Sequence, residues 1–102
     1  MLKWADFLIS GVKSGPKQDC IAFVETHTDI GCVVCETFNT SRDELIANLK
    51  KGCTYTTIVR TASGKWRKGE DVCLVNVNGK DYVKVGTKEC TPCDSFETVP
   101  EL

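Results

Sequence analysis

The segment from Val72 to Val85 constrains this chain more than any other, because its pattern suits a β-hairpin and little else. Asn78-Gly79 lies between two valine-rich runs and supplies the two positive φ angles that a type I′ turn requires. A two-residue turn there pairs Val77 with Lys80, Val75 with Tyr82, Leu74 with Val83 and Val72 with Val85. One face then carries Val72, Leu74, Val83 and Val85 and is the core face. The other carries Cys73, Val75, Val77, Lys80, Tyr82 and Lys84 and reads as half exposed.

The remaining elements follow from local signals. Phe7 to Lys13 is short and β-prone, and Ser14-Gly15-Pro16-Lys17-Gln18-Asp19 is a run of turn residues. Cys20 to Thr28 reads as a second strand, in a hairpin with the first. Ser41-Arg42-Asp43-Glu44 fits a capping box, with acids at the positive end of a helix and Lys50 and Lys51 at its negative end. Leu45, Ile46 and Leu49 form its apolar stripe, and Gly52 suits a left-handed exit. The spacing predicts a helix over Arg42–Lys51. Tyr55 to Thr61 reads as a third strand, Ala62-Ser63-Gly64-Lys65 as a turn, and Gly69 as a bulge or second turn. The expected fold is therefore a single small α+β domain over residues 1–102, in ββαβββ order, with one helix packed on an antiparallel sheet. Residues 1–5 read as a frayed N-terminus and 86–102 as an irregular tail packed on the domain.

A chain of 102 residues with 41% hydrophobic residues supports one small core and excludes intrinsic disorder. Its net charge of −1 gives no global basic field for nucleic acid. No run approaches the ~18 consecutive apolar residues of a membrane span. Asp6 interrupts the apolar start and no small-x-small cleavage site follows, which points away from a secretory signal. The expected location is the cytoplasm, where thiols stay reduced. The seven cysteines fit this setting, since an odd number cannot pair completely within one chain.

Several features resemble one family of small proteins. They are Ile9-Ser10-Gly11-Val12, the Ser41-Arg42-Asp43-Glu44 helix ending in Lys51-Gly52, and Thr54-Tyr55-Thr56-Thr57-Ile58. Next come Gly64-Lys65-Trp66-Arg67-Lys68-Gly69-Glu70-Asp71-Val72, Val77-Asn78-Gly79-Lys80-Asp81-Tyr82-Val83-Lys84 and Val99-Pro100-Glu101-Leu102. Together, from about Phe7 onward, they resemble the bacterial and phage-associated family catalogued as domain of unknown function 3892. The resemblance implies a compact intracellular domain and brings no reaction with it. The chain departs from that pattern near its end, where the family has a polar Thr-Pro-x-Asp stretch and Thr91-Pro92-Cys93-Asp94 carries a cysteine at x, preceded by Cys90.

Three constellations carry chemistry. Cys32-Val33-Val34-Cys35 and Cys90-Thr91-Pro92-Cys93 are two C-x-x-C pairs, each able to offer two thiolates to zinc, with His27 as a substitute ligand. The pairs lie much further apart than the ~15–20 residues of a zinc ribbon, so buried or incidental thiols, or a disulfide, compete with the metal reading. Cys90-Thr91-Pro92-Cys93 also has the form of a thiol-disulfide enzyme. Glu89 and Asp94 flank it, however, with charge that opposes a thiolate. Finally, Arg60, Lys65, Arg67 and Lys68 surround Trp66, which can stack on a ligand or simply cap the core while its neighbours extend into water. No P-loop, G-x-S-x-G or G-x-G-x-x-G occurs, and there is a single histidine.

The expectation is a non-catalytic binding or regulatory module, encoded by a phage or mobile element. Its contacts to a protein or small molecule would run through Arg60, Lys65, Trp66, Arg67, Lys68 and Tyr82. The half-apolar face with Val75, Val77 and Tyr82 would serve a homodimer or be covered by the tail. The alternatives are a zinc-stapled nucleic-acid-binding domain using Cys32, Cys35, Cys90 and Cys93, and a thiol-disulfide enzyme.

Overall fold

Ser41 starts the only helix among the described residues by a local bond: its hydroxyl accepts from the Glu44 amide at 3.2 Å. The computed structural model describes residues 5–15, 20–29, 34–86, 91–96 and 99–102. The helix, α1 (Arg42–Lys50), ends in a Schellman motif. The Cys53 amide donates to the Asn48 carbonyl and the Gly52 amide to the Leu49 carbonyl, with Gly52 at φ 96°. Leu45 is fully buried, and Ile46 and Leu49 pack against the core as the apolar stripe requires.

The strands depart from the expected order. They are β1 (Phe7–Ser14), β2 (Ile21–Asp29), β3 (Val34–Ser41), β4 (Tyr55–Arg60), β5 (Trp66–Val77) and β6 (Lys80–Val85). The order is βββαβββ, and one six-stranded mixed sheet runs β3-β2-β1-β4-β5-β6. The expected ββαβββ domain with a helix on an antiparallel sheet is thus corrected twice. Val34–Ser41 is a strand, at the sheet edge beside β2, and β4 enters parallel to β1. The described residues are mostly sheet, with one nine-residue helix among them. A helix between β3 and β4 permits the parallel return, because a crossover is needed where a tight turn would force antiparallel pairing. Reciprocal bonds set its start: Asp6 N donates to Thr54 Oγ1 and Thr54 N to the Asp6 carboxylate, both at 2.9 Å. Ala5, in the segment expected to fray, is buried.

The β5–β6 hairpin pairs as its Asn-Gly turn dictates, from Val72 with Val85 to Val77 with Lys80. Its second face is not half exposed throughout, since Tyr82 is buried and Lys84 fully so. Segment 91–96 lies along β6, with Ser95 bridging Lys84 in parallel and exchanging backbone bonds with Val83 and Val85. Glu101 bridges Val12 of β1, also in parallel. The expected irregular tail therefore joins β6 back to β1. A bulge at Ser10/Gly11 makes this possible. Before it β1 pairs with β4, and after it Val12 donates to Pro100 O and accepts from the Leu102 amide. Ile9, Val12, Val24, Leu45, Tyr55, Val72, Val83, Val85, Phe96 and Val99 form the core. No helix among the described residues is long and apolar enough to cross a membrane.

Asp94 fastens this arrangement. Its carboxylate, 1% exposed, accepts from Arg42 Nε at 2.8 Å, from the Ile21 amide at 2.9 Å and from the Val83 amide at 2.9 Å. Replacing Asp94 by Ala leaves a mostly buried guanidinium and two amides without this acceptor. The expected loss is about 3 kcal/mol, read from the urea midpoint. Glu101 offers a pH test. Bonds from the Ser14 amide and hydroxyl hold its carboxyl below the usual range. A depressed carboxyl stabilises the fold above its unfolded value, about 4.3, and that stabilisation disappears as pH falls through the folded value. Thermal melts should therefore show a smaller drop between neutral pH and pH ~3 for Glu101→Gln than for the parent chain.

Candidate functional site

β4 and β5 continue past the point where β1 turns away, so their joined end carries residues that no third strand covers. Thr56 pairs with Asp71 but Ile58 with Lys68, which leaves one extra residue on β5. Gly69 sits in this bulge because a Cβ there would collide with the Thr57 hydroxyl, which in turn accepts from the Glu70 amide at 2.8 Å. At the tip, Thr61 N donates to Lys65 O at 2.7 Å, Gly64 adopts φ 82°, and the Thr61 hydroxyl accepts from Lys65 N. The turn is held by its own bonds, and Trp66–Lys68 belong to a strand rather than a loop.

Pairing Arg60 with Trp66 sets both side chains on one face, and the guanidinium lies 4.7 Å from the indole centroid. The His27 imidazole also lies against Trp66, with ring centroids 5.5 Å apart and the planes tilted by 58°. Lys68 shares the Trp66 face by strand alternation and lies 4.0 Å from Asp71, an exposed contact of little energetic weight. Arg67 points to the opposite face, and Lys65 is exposed at the turn. Among the described residues, none of Arg60, Lys65 and Arg67 pairs with an acid.

Five of the six expected contact residues therefore gather at one hairpin end. Tyr82 does not join them. It pairs with Val75, nine positions along β5 from Trp66, a separation of roughly 30 Å at ~3.3 Å per residue. There it packs beneath Arg42, at 5.8 Å, and Lys80, at 5.5 Å.

The sequence reading missed what supports Trp66. His27 is 5% exposed, and its Nε2 lies 2.7 Å from Ser10 Oγ, which donates to Glu25 Oε1 at 2.7 Å. A hydroxyl has one hydrogen, and here it goes to the carboxylate. His27 Nε2 must then carry a proton and donate to Ser10. That polarity is the reverse of a histidine base acting on a serine nucleophile, so the chain of bonds orients the imidazole beneath Trp66. The signal lay in alternation, since Glu25 and His27 fall on one face of β2.

Of the expected zinc ligands, Cys32, Cys90 and the Cys35 side chain lie outside the described residues. Cys93 is a free thiol, as are Cys20 and Cys53. Among the described residues no three metal-ligating side chains cluster. No protein-family model, curated protein or solved structure matches the chain.

Removing the Ser10 hydroxyl tests the support for Trp66. Ser10→Ala takes one acceptor from His27 and one donor from Glu25, and should lower stability by about 1–2 kcal/mol in urea unfolding. A shift in tryptophan emission should accompany it, because the imidazole beside Trp66 loses its bond to Ser10.

Proposed function

We propose that this chain is a non-catalytic binding module of the cytoplasm that docks the end of its β4–β5 hairpin against an acidic surface of a partner protein. One observation carries the reading: half-buried Trp66, stacked by Arg60 and backed by His27, sits on a hairpin end that also displays Lys65, Arg67 and Lys68. In a chain of net charge −1 this is a local concentration of positive charge. Such a patch steers an acidic partner and disfavours a basic one. A tryptophan among cations is the residue pattern of an interface anchor with a polar rim. The bonded turn and the Thr57–Gly69 bulge support it as well, because a preorganised hairpin loses little entropy on docking. The odd count of seven cysteines, which cannot pair completely within one chain, suits a reducing compartment.

A decaglutamate peptide provides the probe, followed by tryptophan fluorescence at low salt and compared with a decaglutamine peptide and a single-stranded oligonucleotide. Binding to decaglutamate alone is expected, weakening as salt rises, with a loss of about tenfold in Arg60→Ala/Arg67→Ala. Equal affinity in that variant, or no decaglutamate binding at low salt, would overturn the reading. Tighter binding of the oligonucleotide would replace it with the nucleic-acid alternative.

A further inference from the structure

Lys84 stands on the face of β6 opposite Val83 and Val85, at a position where a cation ordinarily reaches water, yet it is 0% exposed. Segment 91–96 covers it. Its Nζ lies 2.6 Å from Thr91 Oγ1, 3.4 Å from Ser95 Oγ and 3.7 Å from Cys93 Sγ. Thr91 and Ser95 offer neutral hydroxyls, and among the described residues no carboxylate pairs with this ammonium. A buried cation is strongly unfavourable without an anion. Of the three groups that Nζ touches, only the Cys93 thiol can become one near neutral pH.

The hydrogen bonds point the same way. Thr91 Oγ1 accepts from Lys84, so its own hydrogen is free for Cys93 Sγ, 3.5 Å away. These contacts draw the Cys93 thiol below its ordinary range, with the Thr91 bond the largest cause, desolvation opposing it and the Lys84 charge adding to it. Asp94, whose charge the sequence suggested would oppose a thiolate, is instead engaged with Arg42. Cys93 also lines a groove of about 430 Å³, with Val12, Cys20, Phe96 and Val99 among its walls. Cys93 is itself only partly buried, so a small reagent in this groove has access to the residue.

We propose that Cys93 is a nucleophilic thiolate held by Lys84, and that it is the site on this chain where small hydroperoxides are reduced at the cost of its oxidation to sulfenic acid. The sulfur lone pair attacks the hydroxyl oxygen of the hydroperoxide. An S–O bond forms, the O–O bond breaks, and the departing alkoxide or hydroxide takes a proton from water. Sulfur loses two electrons and the peroxide becomes an alcohol or water, while the transferred hydroxyl keeps its hydrogen as Cys93–S–OH. The product is neutral, so Lys84 loses its anion, and the segment that bridges Ser95 to Lys84 carries the consequence. This site is independent of the hairpin reading.

Labelling of the whole chain with limiting iodoacetamide, located by fragment-ion mass spectrometry, tests the thiolate directly. At pH ~7 Cys93 should react about tenfold faster than Cys20, Cys53 or Cys73, with its rate rising at lower pH than theirs. One equivalent of hydrogen peroxide followed by dimedone should place the adduct at Cys93. Lys84→Met should bring Cys93 down to the rate of the other thiols. The pH profile of the parent chain stands without any variant. A Cys93 rate equal to the others, a dimedone adduct at another cysteine, or an unchanged rate in a folded Lys84→Met chain would each overturn the proposal.

Discussion

A single carboxylate brings the parts of this fold into register. Asp94 receives the guanidinium that begins α1, the amide that begins β2 and an amide within β6, and no two of these groups are near one another in sequence. The bond to Asp94 raises the Arg42 guanidinium pKa further above its already high value, against the opposing effect of its partial burial. Arg42 then reaches on to the Asp81 carbonyl at 2.7 Å. Hydrogen bonds to a buried ion are stronger than those between neutral groups, and losing one strands several partners together. The helix therefore sits where the Asp94 segment places it, and its apolar stripe meets the core from there.

The same segment gives the sheet its final shape. Ser95 and Glu101 occupy positions along β6 and β1 that would otherwise be open edges, which natural sheets avoid leaving bare. Phe96 and Val99 enter the core between them. β3 is left at the other border, with Phe38 largely exposed and leaning edge-on against Phe7 at 6.3 Å. The β4–β5 hairpin is free of these constraints beyond the Thr57 bulge, which is why it can present Trp66 and its cations outward.

What was readable in the sequence was local. The Ser41 cap, the Gly52 exit and the Asn78-Gly79 hairpin each depend on residues a few positions apart, and each formed as expected. Gly69 was readable as an irregularity, though only the Thr57 hydroxyl explains it. β3 was hidden because its inward position is polar: Thr40 bonds Thr26 at 2.8 Å inside the sheet, so apolar alternation fails there. The parallel β1–β4 pairing depends on partner choice across 48 residues, which periodicity does not encode. At the candidate surface, the cations and Trp66 were visible as a cluster, whereas Tyr82 was assigned to it from the hairpin face alone. The Glu25–Ser10–His27 support and the burial of Lys84 arise from elements far apart in the chain.

The bulge at Ser10/Gly11 has a kinetic consequence. By dividing β1 between β4 and residues 100–102, it makes the first strand wait for contacts that close one long loop from residue 12 to residue 101. Such closures are entropically demanding and raise contact order, which slows folding. The helix and the Asn-Gly hairpin form on microsecond scales, so the seam between 12 and 101 is the natural last step and the natural first place to open.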